Sequence, residues 1–336
     1  MEKLKITFED KQSVPKYRQI IEVIQHKIKD CEWKRGDKIP SLNQWCKQYG
    51  LSQDTVLMAY NELKAKGIIT SQVGKGYFIQ NDKVDVGHKV LMLFDKLTAY
   101  KESLYEAFQH TMKGKGVVQL FFHHNNLQLF QTILEMANGE YSAYVIMPMA
   151  DKAAKDLIGQ LPKNKVYILD QGKKDYKTTY PFVCQDFEND IHGFLKENID
   201  TAKTFKRFVL VTGNQGTPRK EIASGFKKFC QEFHRAYELV THAQQVELKP
   251  QDLVLVIDDR DLEQVVLYAL NQSWEIGKDI GIISYNETPL KGLIANGIST
   301  ITTDFTRMGQ SMAEMIVHSN KKRINNPFLF IKRNSF

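Results

Sequence analysis

Residues 36–78 read GDKIPSLNQWCKQYGLSQDTVLMAYNELKAKGIITSQVGKGYF and decide the fold of the N-terminal part of the chain. Ser41, three residues before Gln44, predicts a capping box at the start of a helix. Gly50 supplies a left-handed stop for that helix, and Ser52 is a favourable cap for the next one. Two helices joined by so short a corner predict a helix-turn-helix.

Apolar residues recur at helical spacing in both of these helices and in a segment before them. The recurring residues are Leu42, Trp45, Cys46 and Tyr49, then Val56, Ala59, Tyr60 and Leu63, and upstream Tyr17, Ile20, Ile21, Ile24 and Ile28. Two β-prone runs, 68–72 and 77–80, flank Gly74-Lys75-Gly76, which is a hairpin signal. The pattern therefore predicts a winged helix-turn-helix, a shape that holds double-stranded DNA.

The second helix of the pair is expected to enter the major groove by its N-terminal end. Candidate DNA contacts are the outward positions of this helix and polar residues beside it: Ser41, Asn43, Ser52, Gln53, Asp54, Thr55, Leu57, Asn61, Lys64 and Lys75. Residues 1–80 hold 14 Lys/Arg and 9 Asp/Glu, so most of the chain's net charge of +7 lies there. A solvated helical surface without DNA is the alternative interpretation.

The composition fits roughly two globular domains in a chain of 336 residues. No apolar run is long enough to span a bilayer, and the first residues show no secretory signal, so we expect a cytoplasmic protein with no membrane partner. The four cysteines lie far apart in sequence, which predicts reduced thiols rather than a disulfide frame or a metal site: Cys31, Cys46, Cys184 and Cys230.

Residues 14–79 resemble the winged helix-turn-helix of GntR-family bacterial transcription regulators. The matching pieces are Pro15-Lys16-Tyr17, residues 36–41, Gly50-Leu51-Ser52, Thr55-Val56, Ala59-Tyr60, Leu63, Gly67-Ile68-Ile69 and residues 74–78. The family commonly has arginines where this chain has Asn43, Gln53 and Leu57. Because Asn and Gln suit the adenine edge rather than the guanine edge, we hypothesise a half-site richer in A/T than is usual for the family. Contacts of Asn43 and Gln53 with phosphates alone remain open.

From Lys89 onward, apolar β runs alternate with helical stretches, which predicts an α/β fold of parallel sheets with helices on both faces. The predicted strands are 90–94, 117–122, 144–147, 166–169, 208–212, 253–257 and 280–284, and the predicted helices are 103–113, 128–138, 220–232, 261–272 and 307–318. Polar residues cluster after several strands, at the carboxyl ends where such sheets bind ligands. The polar interval 81–88 predicts a linker between domains at 1–80 and 89–336.

Residues 89–336 resemble the effector domain of LacI/GalR-type repressors, which is related to periplasmic sugar-binding proteins. The strongest pieces are 208–213 with Gly225-Phe226, 250–259, 281–290 and 301–305 with Met308-Gly309. The resemblance implies a two-lobed domain like type I periplasmic binding proteins, a small molecule bound between the lobes, and a homodimer. It places lobe one at about 89–187 and 288–318, and lobe two at about 188–287 and 319–336.

Carried over by position, the resemblance implies effector contacts at Tyr100, Ser103, Asp170, Asp186, Phe187, Arg219, Asp259 and Asn286. Carboxylates and amides suit paired hydroxyls of a polyol, and Phe187 or Tyr100 can pack the apolar face of a sugar. The family's ligand-binding arginine falls at Ile222, and Arg219, one turn earlier, is expected to replace it. Loop and cap roles for the aspartates, and a surface role for Arg219, remain open.

A GntR head joined to a LacI-like body is similar to arabinose-responsive repressors of this chimeric type. The similarity implies a repressor of carbohydrate-utilisation genes whose operator affinity is controlled by a monosaccharide. A sugar phosphate, sugar acid or other small metabolite is the alternative, because Arg219 and Lys101 are basic. No catalytic motif or cofactor lysine is evident, so a cofactor-dependent enzyme fused to a DNA-binding head is a remote alternative, and no cofactor or metal is expected. The hinge helix of LacI relatives is missing between Gln80 and Lys89.

Overall fold

The computed structural model describes residues 15–81, 87–213 and 217–336, with no side-chain placement for 217–219. The chain divides into two compact units. One unit runs to Lys96 and adds 109–167 and 315–320, and the other comprises 97–108, 168–314 and 321–336. The described part of the predicted head therefore belongs to the same unit as the first strands of the body.

The head is a winged helix-turn-helix, as predicted. Its elements are α1 Lys16–Lys29, β1 Lys38–Ile39, α2 Leu42–Tyr49, α3 Gln53–Ala65, β2 Ile69–Gln72 and β3 Gly76–Ile79. Strand β3 lies in the middle of an antiparallel sheet of order β1-β3-β2. Strand β1 was not predicted, because two residues carry no periodicity.

The predicted start and end of α2 are confirmed by its hydrogen bonds and backbone angles. The Ser41 hydroxyl accepts from the Gln44 amide at 3.4 Å, while the Gln44 side-chain oxygen accepts from the Ser41 amide at 2.6 Å. Gly50 ends α2 in the left-handed region, at φ +68°. The apolar faces meet in one core that includes Ile20 and Ile24 of α1.

One buried hydroxyl joins α2 to α3. Trp45 Nε1 donates to the Tyr60 hydroxyl at 2.7 Å, and that hydroxyl donates to the Pro40 carbonyl. The Tyr60 ring also meets Tyr77 of the wing edge to face, with the ring centroids 4.7 Å apart. Burial raises the pKa of the Tyr60 hydroxyl, which stays neutral. The angle between the two helices thus depends on a satisfied polar chain inside an apolar core.

We predict that Tyr60→Phe destabilises the head, because it removes the buried hydroxyl that accepts from the Trp45 indole N–H and donates to the Pro40 carbonyl. The expected loss is about 1–3 kcal/mol of unfolding free energy, measured by urea unfolding followed by tryptophan fluorescence. Tyr17→Phe is the matched control, because the Tyr17 hydroxyl accepts from the guanidinium of Arg18 in an exposed hydrogen bond. A Tyr60→Phe protein as stable as the Tyr17→Phe protein would contradict this reading of the core.

The remaining elements of the first unit form a parallel three-strand arrangement and its helices. They are β4 His88–Phe94, the last turn of α4 Ala99–Met112, whose earlier residues belong to the second unit, β5 Gly116–Phe122, α5 Leu127–Ala137, β6 Ala143–Ile146 and α6 Lys152–Gly159. Strand β4 pairs with β5 on one side and with β6 on the other. It begins at His88, inside the predicted linker, because the His88 amide donates to the Lys115 carbonyl at 2.7 Å. The central part of that linker lies outside the described residues. The prediction that this linker has no hinge helix falls on that part.

The second unit contains one six-stranded sheet and part of another, which also has six strands and includes β4, β5 and β6. The first elements here are β7 Val166–Asp170, whose first two residues belong to the first unit, α7 Lys173–Tyr176, β8 Phe182–Cys184, α8 Phe187–Glu197, α9 Ile199–Ala202, β9 Arg207–Val211, α10 Thr217–Glu232 and β10 Ala236–Val240. The rest are β11 Asp252–Val256, α11 Asp259–Asn271, β12 Gly281–Tyr285, β13 Ser299–Thr303, α12 Phe305–Val317, β14 Arg323–Asn325 and β15 Phe328–Ile331. Six strands form a sheet of order β10-β9-β11-β12-β13-β15, in which only β15 is antiparallel.

Two predicted lobe boundaries are wrong. Strand β13 lies in the segment 288–318 assigned to lobe one, yet it pairs with β12 of the six-stranded sheet, and its Ile301 is buried in that sheet's core. Strand β14 lies in the segment 319–336 assigned to lobe two, yet it pairs with β8. The chain therefore changes sheets after α12 and again after β14, which apolar patterning alone does not reveal.

Candidate functional site

The N-terminal half of α3 presents an exposed stripe. Gln53, Asp54 and Leu57, three of the predicted DNA contacts, are exposed on it, and so is Asn43 on α2. A helix that reads the major groove uses side chains at this end. The stripe is therefore placed as a recognition surface requires.

The predicted contacts at the helix starts have local partners. The Ser52 hydroxyl accepts from the Thr55 amide at 3.2 Å and lies 2.7 Å from the Thr55 hydroxyl. Ser41 belongs to the capping box of α2. These hydroxyls hold the first turns of both helices in place, which fixes the N-terminal ends that would face phosphates.

The wing tip carries Lys75, which is exposed between Gly74 and Gly76. Both glycines have positive φ, +71° and +107°, so the tip needs residues without a Cβ. Val73 beside them is fully exposed. Val73 was not among the predicted contacts, which were chosen from polar residues and from the outward positions of α3. An exposed apolar side chain next to a lysine suits contact with a groove wall and its phosphates.

Two further predicted DNA contacts, Asn61 and Lys64, lie on the same stripe toward the end of α3 but are partly covered. Lys64 Nζ pairs with Glu140 at 2.5 Å, and Asn61 lies over Gly139. Both partners belong to the turn between α5 and β6. In this arrangement the Lys64 ammonium is engaged by a carboxylate of the body, and its contact with DNA stays a prediction.

A buried polar chain lies at the carboxyl ends of strands in the second unit. Lys101 Nζ is 3.7 Å from Asp170 Oδ2, Gln185 Nε2 donates to Asp170 Oδ1 at 2.6 Å, and the Tyr285 hydroxyl lies 3.2 Å from Gln185 Oε1. All four side chains are almost fully buried. Asp170 ends β7, Gln185 follows β8 and Tyr285 ends β12, so the chain joins strands of different sheets. Buried, hydrogen-bonded polar groups at strand ends are the usual anchors of a ligand site.

Asn286 follows this chain and carries an unsatisfied acceptor. Its side-chain oxygen is buried without a hydrogen-bond partner, although its own carbonyl accepts from Lys291 Nζ at 2.7 Å. Asn286 and Asp170 both have positive φ, +62° and +68°, which is uncommon for residues other than glycine. An orphaned buried acceptor favours a site that a donor such as a ligand hydroxyl can complete.

The other predicted effector contacts are placed differently. The Tyr100 ring packs against Phe305, with centroids 4.9 Å apart, and Ser103 is exposed on α4. Asp186 pairs with Lys173 at the start of α8. The Phe187 ring is buried in the apolar core beneath α8, and its contact with a sugar face stays a prediction.

Asp259 is 69% exposed and pairs with the buried Lys291 at 2.8 Å, so it neutralises that lysine. The Arg219 side chain lies outside the described residues. The effector contacts predicted from the sequence do not include Gln185, Tyr285 or Lys101, although Lys101 was noted as a basic residue. A usable signal was present for Gln185, because it directly follows the short apolar run 182–184.

Asp190, a second carboxyl group whose charge acts on the buried polar chain, has a raised pKa. Burial raises the pKa of Asp190 to about 6; the Asp186 amide, which donates to Asp190 at 3.0 Å, opposes this, and the Asp186 charge adds to it. Burial also raises the pKa of Tyr285, to which the charges of Asp190 and Asp170 contribute. The region thus disfavours additional negative charge.

We predict that Asp190→Asn stabilises the protein at pH 7.5 by about 1–2 kcal/mol, less than the pKa shift would give for a fully buried group. Below about pH 4 the carboxyl is protonated in both the folded and the unfolded protein, so the variant and the wild type should match there. As pH rises through about 6, the wild type alone must hold a disfavoured charge.

Thermal unfolding across this pH range measures the difference. Asp175→Asn, the same charge change at an exposed position of α7, is the control. A stability gain that is equal at pH 4 and pH 7.5, or equal for the two variants, would contradict the assignment.

Within the described ranges, no three His, Cys, Asp or Glu side chains are grouped as a metal site would need. None of the helices that the structure describes combines the length and apolarity of a membrane span.

Residues 16–79 match the family model of bacterial regulatory proteins, gntR family, and residues 201–328 match that of a periplasmic binding protein-like domain. The HTH-type transcriptional regulator YhcF of Bacillus subtilis is 32% identical over 107 residues, which are 32% of this chain and 83% of that protein. The chain belongs to the gntR family of bacterial regulatory proteins.

Two other gntR-like relatives match shorter parts of their own length. The HTH-type transcriptional regulator YdfD of Bacillus subtilis is 30% identical over 45% of this chain and 29% of that protein. A protein of Escherichia coli named "probable fructoselysine utilization operon transcriptional repressor" is 38% identical over 16% of this chain and 22% of that protein. The chain thus spans less than a third of the length of these two relatives.

The fold also has solved counterparts. The Lac repressor bound to ONPG in its repressed state has a TM-score of 0.61 and 16% identity, and the match covers 84% of this chain and 90% of that one. At this identity the likeness shows the fold alone. It agrees with the predicted LacI-like, periplasmic-binding-protein type of body for this gntR-family chain.

Proposed function

We propose that the protein is a DNA-binding transcriptional repressor whose operator affinity is controlled by a small polyhydroxy effector. The observation that carries the proposal is the buried chain of Lys101, Asp170, Gln185 and Tyr285 in a protein with a gntR-family head. A protein that only bound DNA would have no need of buried polar groups at strand ends. A regulator that reads a metabolite needs both parts.

A monosaccharide or a related sugar derivative suits the chemistry of the site. Asp170 offers a carboxylate, Gln185 an amide and Asn286 an acceptor that lacks a donor, so the groups match the alternating donors and acceptors of adjacent hydroxyls. The name of the fructoselysine relative supports a sugar-linked role for regulators with this head. We infer that the protein controls genes of carbohydrate utilisation.

A sugar acid or sugar phosphate is the second candidate, because Lys101 is a buried cation at 5% exposure. Its ammonium lies 3.7 Å from Asp170, a loose ion pair that a ligand anion could share. The raised pKa of Asp190 weighs against a dianionic ligand, because it shows that negative charge is disfavoured nearby. If Arg219 contacts the effector, as the sequence predicts, its positive charge favours a sugar acid or sugar phosphate over a neutral sugar.

The proposed mechanism depends on the buried polar chain, which links the ends of β7 and β12. Asp170 belongs to β7, whereas Tyr285 and Asn286 belong to the end of β12 in the six-stranded sheet. An effector that bonds groups on both sides favours the arrangement in which those groups are correctly spaced. In a homodimer this changes the spacing of two heads on DNA, and it can do so only through a difference in affinity between arrangements.

We predict that one sugar class raises the melting temperature of the wild type. The panel is neutral monosaccharides, sugar acids and sugar phosphates, and a ligand at 100 times its dissociation constant stabilises by about 2.7 kcal/mol. Asp170→Asn should abolish the shift, and Asp156→Asn, the same charge change on exposed α6, should keep it. No response to any panel member, or an equal response of both variants, would contradict the proposed site.

We predict that selection from a random duplex library yields an A/T-rich half-site, because Asn43 and Gln53 are exposed where the family commonly has arginines. Gln53→Arg should then shift the selected sequence toward guanine at one position. A G-rich consensus for the wild type would contradict the base-contact hypothesis. A sequence preference that Gln53→Arg leaves unchanged would assign Gln53 to phosphate contact instead.

A further inference from the structure

The turn between α5 and β6, residues 138–141, contacts the recognition helix and is called the docking turn. Glu140 pairs with Lys64 at 2.5 Å. A Cβ placed on Gly139 would lie 3.5 Å from the side-chain amide of Asn61. The docking turn therefore covers the end of the same stripe whose other end is exposed.

The docking turn is held rigidly by the body. The Tyr144 hydroxyl accepts from the Gly139 amide at 2.9 Å and donates to the Ala137 carbonyl at 2.8 Å. Gly139 has φ +83°, a conformation that side chains other than glycine rarely adopt. The Lys89 ammonium sits over the Tyr141 ring, 4.7 Å from its centroid. The turn thus presents Glu140 from a fixed position.

Charged residues at the end of α3 also affect the pKa values of Lys165 and His88 in the body. Burial lowers the pKa of Lys165, with opposite contributions from the charges of Glu62 and Lys66 of the head. Burial also lowers the pKa of His88 at the start of β4, and Lys66 adds to the effect. The contact between α3 and the body is therefore an electrostatic surface, of which the Lys64–Glu140 pair is one part.

We propose that the docking turn is an autoinhibitory contact that competes with DNA for the recognition helix. Glu140 occupies the Lys64 ammonium as a phosphate would, and Gly139 covers Asn61. A carboxylate fixed beside the recognition stripe also repels the phosphate backbone. Release of the turn frees two more side chains of α3 for DNA.

The contact is built to be reversible. The Glu140 side chain is 36% exposed, and partly exposed ion pairs contribute little. A cavity of about 220 Å³ remains beside the pair, lined among others by Lys64, Lys66, Gln80, His88 and Glu140. An interface with such a gap has few packing contacts to lose on opening. DNA phosphates can therefore displace the turn.

The test compares two charge-removing variants of the full chain. Binding to a fluorescein-labelled duplex of mixed sequence is measured by anisotropy at low salt. We expect Glu140→Gln to tighten binding by up to about fivefold, the limit for a partly exposed ion pair. Glu135→Gln removes the same charge from an exposed position of α5, where the Glu135 carboxylate accepts from Gln131, and should leave the affinity unchanged.

A double-mutant cycle adds the coupling between the two partners. Lys64→Ala should weaken DNA binding more in the Glu140→Gln background than in the wild type, because Glu140 already withholds Lys64 in the wild type. Equal affinities of Glu140→Gln and Glu135→Gln would overturn the proposal, as would weaker binding by Glu140→Gln.

This inference rests on the proposed DNA binding, and the wild type separates the two. A folded wild type that binds no duplex overturns both the proposed function and the inhibition. Binding that is indifferent to Glu140 overturns the inhibition alone.

Discussion

Lys101 and Asp170 are each 5% exposed, and the arrangement of strand ends around them follows from the need to satisfy both. Removing one member of such a pair leaves a buried charge alone, at a cost of about 3–5 kcal/mol. Gln185 and Tyr285 complete the chain and connect it to β12. A ligand that enters this network must replace hydrogen bonds rather than add to an apolar surface. Under the proposed function, the need to satisfy these polar groups would decide which effector the site accepts.

The fold was largely predictable, because its elements carry strong local signals. The capping box at Ser41 and the stop at Gly50 fixed α2, and continuous apolar runs marked the seven predicted strands. Strand β10 was not predicted because its residues are partly exposed at a sheet edge, as its AYELV sequence reflects. The crossovers at β13 and β14 depend on long-range pairing, which no local period records.

The site was predictable in outline but not in its contacts. Asp170 and Asn286 were found because polar residues at the carboxyl ends of strands are informative. The burial of the Phe187 ring was not predicted, because a loop aromatic and a core aromatic look alike in sequence. Lys64 was expected to face DNA because α3 was considered alone. Its partner Glu140 lies 76 positions away, so only the tertiary structure brings the two together.

The most direct test of the account measures the affinity of the full chain for its selected duplex with and without saturating effector. The account predicts a change of about 5–150-fold, the usual range of coupling between two ligands, and an equal change in effector affinity when DNA is saturating. Asp170→Asn should bind the duplex without responding to the effector. An operator affinity that stays the same when the wild type is saturated with a bound effector would contradict the account.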